Sequence, residues 1–213
     1  MRTGYGGSRT TTSRFGGTAS TASALGGILE GMAQQPAGSP PDPALLSGRT
    51  MIAGTCVAGN VGLESVVNNA RRIFELCERR DIPVYSGAAR PIMASRGGFS
   101  IMHGSDGLAG SRLPAPTMPL ANGHAANEIS RIAWAEGKLN ISATGPLTNI
   151  ALAVLLDPKL PEFISALSIM GGAAFCPGKR TSLVEFNFAV DSHAAAIVFD
   201  RSPITMVGLD VAR

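Results

Sequence analysis

Apolar and polar positions fall into two regimes along the chain, with the change near residue 50. Residues 1–48 are rich in Gly, Ser, Thr, Ala and Pro, and their first acidic residue is Glu30. No helical or strand period runs through them apart from a short apolar patch around Leu25–Met32, and QQPAGSPPDP at 34–43 reads as linker. From Thr50 the pattern becomes regular. MIAGTCV at 51–57 is a short apolar run suited to a strand, ending in Ala-Gly-Asn. Val66, Val67, Ala70, Ile73, Phe74 and Leu76 then recur at helical spacing, with Arg71, Arg72, Glu75, Glu78 and Arg79 off that face. DIPVYSG at 81–87 predicts a second strand between two turns.

Residues 88–119 concentrate Pro, Gly and Met and predict a long surface loop of the kind that is functional or mobile. A helix is predicted from about Leu120 to Glu136, a strand at LNISAT 139–144, and a helix from GPLTN to Leu156 stopped by Asp157-Pro158. ISALSIM at 164–170 predicts a strand, Asp191 to Phe199 a helix and ITMVGLDV at 204–211 a last strand. Strands that read as apolar throughout, alternating with helices, predict an α/β fold. Its sheet is open, mostly parallel and Rossmann-like, with helices on both faces. The expected organisation is a low-complexity segment at 1–48, disordered or non-native, followed by one partial domain at 49–213. An acid-poor, Ser/Thr-rich start also has the composition of a targeting segment, although an amphipathic helix is lacking.

Composition narrows the function classes. Of 213 residues 45% are hydrophobic and 15% charged, with a net charge of +3 and 5% aromatic residues, so the pattern of a nucleic-acid binder is absent. Three cysteines without CxxC spacing support neither a disulfide framework nor a zinc site, and the expected location is cytoplasmic. No apolar run reaches the ~18 residues of a membrane span.

In open parallel sheets ligands bind beyond the carboxyl ends of the strands, and the polar and glycine residues collect there. Asn60 follows the first strand, Thr144-Gly145 the 139–144 strand, and Gly171-Gly172 the 164–170 strand, while Asp210 lies near the end of the last. Each has a plain alternative. Asn60 is also a candidate helix N-cap, and Thr148 and Asn149 are candidate partners for free helix N–H groups. Glu185 and Asn187 flank Phe186, so in an extended segment both face one way, either towards a hydroxyl-rich ligand or along a solvated loop edge. His103 is either a mobile site residue or an exposed loop histidine. His124 and His193 are expected on helix surfaces, and Trp134 is expected to pack.

AGNVG, DIPVYSGAARP, HGSDGL, ATGPLTNIAL, IMGGA, EFNFAVD and ITMVGLDV, in that order from Thr50 to Val211, resemble the inosine–uridine preferring nucleoside hydrolases. The resemblance implies hydrolysis of the N-glycosidic bond of purine or pyrimidine ribonucleosides to base and ribose, with Ca²⁺ gripping the ribose hydroxyls and activating water. It implies that Thr144 offers its backbone carbonyl to the metal and that Asn60, Glu185 and Asn187 hold ribose hydroxyls. Met170 then lines the sugar pocket, His103 sits on the loop over it, and the partners are the ribonucleoside and further copies of the chain in a homo-oligomer. Three departures set the expectation for this chain. The family's Asp-x-Asp-x-x-x-Asp-Asp motif is absent, Lys179 stands where the family has Asn, and the family's C-terminal His-Asp pair is absent. The expectation is therefore weak hydrolysis, with a non-catalytic remnant or riboside-binding module as the alternative.

Overall fold

The computed structural model describes residues 51–93, 104–108, 110–111, 113–178, 184–202 and 204–211. The segment 1–48, His103 and Lys179 therefore lie outside the described residues. The elements run β1 (Gly54–Cys56), α1 (Leu63–Leu76), β2 (Val84–Ser86), β3 (Ala121–His124), α2 (Ala125–Glu136), β4 (Leu139–Ala143) and α3 (Thr148–Leu156). A 3-10 turn (Leu160–Phe163), β5 (Ile164–Met170), α4 (Phe186–Val190), α5 (Ser192–Arg201) and β6 (Ile204–Val207) follow.

Among the described residues every strand pairing is parallel. The strands form two three-stranded sheets, ordered β1-β2-β3 and β4-β5-β6. Alternation within the short strands sorts side chains between two cores. On one face of the first sheet Cys56 and Val84 join Val66, Val67, Ala70 and Phe74 of α1; on the other, Ala53 and Tyr85 join the larger core. That larger core continues through Ile129, Ile132, Ile141, Leu147, Ile150, Val154, Leu167, Ile169 and Val198, so it runs under both sheets. A small apolar gap lies between β1 and β4, lined by Ala53, Thr55, Leu139 and Ile141 beneath Ile129 and Ile132 of α2.

Several expectations need correction. Residues 121–124 form a strand paired with β2, and the helix begins only at Ala125. His124 caps that helix, its Nδ1 accepting from Ala126 N–H at 3.3 Å, because an extended residue with an acceptor serves as an N-cap. The last strand stops at Val207 rather than running to Val211. β4 is not apolar throughout. Leu139, Ile141 and Ala143 are buried while Asn140 and Ser142 alternate with them, and Ser168 pairs with Ser142 in register on that second face. Within 88–119 the described residues form no helix or strand, yet Leu108 and Met118 are buried. Among the described residues no helix is long and apolar enough to cross a membrane.

Trp134 packs as expected, on Phe163 with ring centroids 4.1 Å apart, and its Nε1 donates to Asp157 Oδ2 at 2.6 Å. The Trp134 hydrogen bond, helped by the Lys159 N–H, Ser130 and the Leu160 N–H, holds the Asp157 carboxyl below its ordinary value of 3.8. A carboxyl with a depressed folded pKa contributes stability above its unfolded pKa and loses it as pH falls through the folded one. Trp134 is the single tryptophan, so its emission reports this contact. An acid titration of its fluorescence is expected to show a local transition with a midpoint below 3.8, absent in Asp157→Asn. A midpoint at or above the ordinary value contradicts the assignment.

Candidate functional site

The parallel strands end together, and the residues that follow them converge. The turn after β1 holds Asn60 with about 9% exposure, and a Cβ at Gly59 would come within 3.0 Å of Pro146 Cδ, so this turn lies against the segment after β4. Asn60 does not cap α1, whose N-cap is Gly62 with no side-chain bond. Thr148 and Asn149 do not cap α3 either, since its N-cap is Leu147. Both make tertiary contacts instead. Asn149, fully buried, donates from Nδ2 to the Cys56 carbonyl at 2.9 Å and accepts the Ala88 N–H at Oδ1, also at 2.9 Å. Gly87 is required beside it, because a Cβ there would overlap both the Asn149 amide and the Cys56 carbonyl. Thr148 Oγ1 donates to Asp191 Oδ2 at 2.7 Å; Asp191 also accepts the N–H of Ile92 at 2.9 Å and of Ala194 at 3.0 Å.

Glu185 is extended, but Phe186 and Asn187 are already helical, so the two polar residues do not share an extended segment. Glu185 is the N-cap of α4, and its buried carboxylate is committed to backbone donors: Oε1 accepts Asn187 N–H at 2.9 Å, and Oε2 accepts Phe188 N–H at 3.1 Å and Gly172 N–H at 3.2 Å. The helical rise turns Asn187 onto the strand ends. Its Nδ2 donates to the Met170 carbonyl at 3.0 Å and the Thr144 carbonyl at 3.3 Å, and it lies 3.4 Å from Met170 Sδ. Beside it Thr144 Oγ1 is buried and finds no partner among the described residues.

The two glycines after β5 have separate causes. A Cβ at Gly171 would overlap the Phe188 ring, and Gly172 has φ +82°, a conformation that glycine adopts without strain. The turn after β6 closes on them, with Gly171 N–H donating to the Val207 carbonyl and Leu209 N–H to the Gly172 carbonyl. Asp210 stands at that turn, its Oδ1 3.6 Å from Cys176 Sγ.

Thr144, Met170, Glu185 and Asn187 are thus brought to one place, with the Asn60 turn packed alongside. Asn149 and Asp191 are the buried polar residues that pattern reading missed as scaffold. Asp191 had a local signal in its position just before the alanine-rich helix, whereas the partners of Asn149 lie 61 and 93 residues away.

Residues 44–213 match the sequence profile of a family described as inosine-uridine preferring nucleoside hydrolase. The chain belongs to that family. It is 42% identical over 164 residues to the pyrimidine-specific ribonucleoside hydrolase RihA of Shewanella sp. (strain ANA-3), an alignment covering 76% of this chain and 51% of that protein. The RihA protein of Escherichia coli O81 (strain ED1a) is 40% identical over 159 residues, covering 74% and 51%. Among solved structures, a purine-preferring ribonucleoside hydrolase from Gardnerella vaginalis superimposes with TM-score 0.73 at 31% identity, covering 76% of this chain and 53% of that one. The chain spans about half the length of the curated nucleoside hydrolases it matches.

The resemblance to nucleoside hydrolases implies calcium, and the donor set does not fit it. Calcium takes 6–8 hard oxygen ligands with carboxylates prominent. Here the Thr144 carbonyl faces an amide N–H₂, and both buried carboxylates at this end, Glu185 and Asp191, are filled by N–H and O–H donors. Among the described residues no three His, Cys, Asp or Glu side chains are grouped to hold a metal. The residues outside them add only two acids, Glu30 and Asp42.

Because Glu185 serves three backbone donors, Glu185→Gln is expected to lower stability by about 1–3 kcal/mol, since whichever way the amide turns its N–H₂ faces a backbone N–H. Urea unfolding measures this, and an unchanged midpoint would refute the capping role.

Proposed function

We propose that this chain holds the ribose of a ribonucleoside at the carboxyl ends of β4 and β5, as part of an N-ribohydrolase that cleaves the bond between C1′ and the base to give base and ribose. The observation that supports this reading best is the convergence of Thr144, Met170 and Asn187. A buried hydroxyl without a partner among the described residues stands beside an amide fixed on two strand-end carbonyls. A sugar hydroxyl both donates and accepts, so it can satisfy such a hydroxyl, and a buried polar group left unpaired is costly. Asn60, on the turn packed against Pro146, is the second candidate contact to the sugar.

Hydrolysis needs water activated on one side of C1′ and a leaving base stabilised on the other, with the sugar held as positive charge develops. The residues described here serve the holding step. Among them the buried carboxylates Glu185 and Asp191 act on backbone and hydroxyl donors, which favours a second reading: a riboside-binding module that binds without turnover. The relatives' names point to both pyrimidine and purine nucleosides, so ribose is the part of the ligand to which this reading commits.

Calorimetry of the full chain with inosine and with uridine, run beside an assay for released base, separates the readings. Release of base supports the hydrolase, binding without release supports the module, and absence of binding to either rejects both. Thr144→Val is expected to leave stability unchanged or slightly raised, because it removes an unpaired buried hydroxyl, while weakening riboside binding about tenfold. Unchanged affinity would remove the Thr144 hydroxyl from the site.

A further inference from the structure

We propose that in this chain the Asn187 amide closes the carboxyl ends of β4 and β5 in place of a cation, so that this end of the sheet is held together without a metal ion. The last ladder pair between these strands is Ala143↔Ile169, and the next residues are Thr144 and Met170. Both carbonyls accept from the Asn187 Nδ2, at 3.3 and 3.0 Å. One N–H₂ group thus adds a rung beyond the ladder, and its positive hydrogens offset two converging carbonyl dipoles as a cation would. The amide is held in place from behind. Its own backbone N–H is bound by Glu185 Oε1, and Oε2 of the same carboxylate fastens Gly172 on the far side of Met170. Swinging Asn187 away would therefore disturb the first turn of α4 as well as the turn after β5.

The same geometry makes cation dependence turn on one atom. Asn187→Asp replaces the donor with an oxygen facing two carbonyl oxygens, which repel it. Three hard oxygens then converge from Thr144, Met170 and residue 187, the ligand type that calcium takes, with water completing the shell. The wild-type chain is indifferent to calcium, and the variant is made to need it.

The test is thermal unfolding of the full chain in EDTA and in millimolar CaCl₂, with calcium calorimetry on the wild type alongside. Wild type is expected to unfold within about 1 °C of the same temperature in both and to show no calcium binding, since only a ligand that binds the native state raises its stability. Asn187→Asp is expected to unfold several degrees lower in EDTA and to recover in calcium. Asn187→Leu is expected to be lowered equally in both. Calcium binding or stabilisation of the wild type overturns the proposal, as does an Asn187→Asp chain that calcium fails to restore. The calcium arm of the proposal rests on the nucleoside hydrolase reading, but its readout is stability. Failure of riboside binding therefore leaves the result interpretable.

Discussion

Among the described strands no backbone ladder joins β1 to β4, and at its functional end the junction between the two sheets is bridged by the Asn149 side chain. Asn149 stands in the first turn of α3, within the half of the molecule built on β4, and spends its donor on Cys56 and its acceptor on Ala88 in the other half. A buried amide with both ends satisfied adds specificity that apolar packing lacks, because only one relative placement of the two halves makes both bonds. Thr148 and Asp191 extend the same tie to Ile92 and to the start of α5. The continuous apolar core beneath supplies most of the driving force, and these bonds select the register in which it closes.

Because the strand ends are set in this way, the site is made largely of backbone. The carbonyls of Thr144 and Met170 and the N–H of Gly172 are group positions dictated by where β4 and β5 stop. Side chains complete them in pairs of opposite sense, Asn187 donating to the carbonyls and Glu185 accepting from the N–H groups. Between them the buried Thr144 hydroxyl is left without a partner among the described residues.

Much of the fold was legible from local pattern. ISALSIM is β5 to the residue, and LNISA and the helix ending at Leu156 fall where apolar runs and breakers put them. The misses share a cause. ANGH is polar, glycine-containing and mostly exposed, so nothing in its own composition marks a strand, and it is one only because β2 offers an edge to pair with. Glu185 and Asn187 were read on an extended spacing, but the free N–H groups that follow Glu185 and its fit as a cap start a helix there.

The sequence by itself determined the alternation of strands and helices, the family, and the set of polar residues gathered after the strands, because periodicity, turn chemistry and short motifs are local properties. Only the tertiary structure decided what those residues do. Whether a buried Asn or Glu meets a ligand, a strand-end carbonyl or a helix N–H depends on groups brought to it from far along the chain: 93 residues for Asn149 and Cys56, 43 for Asn187 and Thr144. A hydrogen bond acts over about 3 Å, so its partner is set by the folded path of the chain and not by the neighbours in sequence.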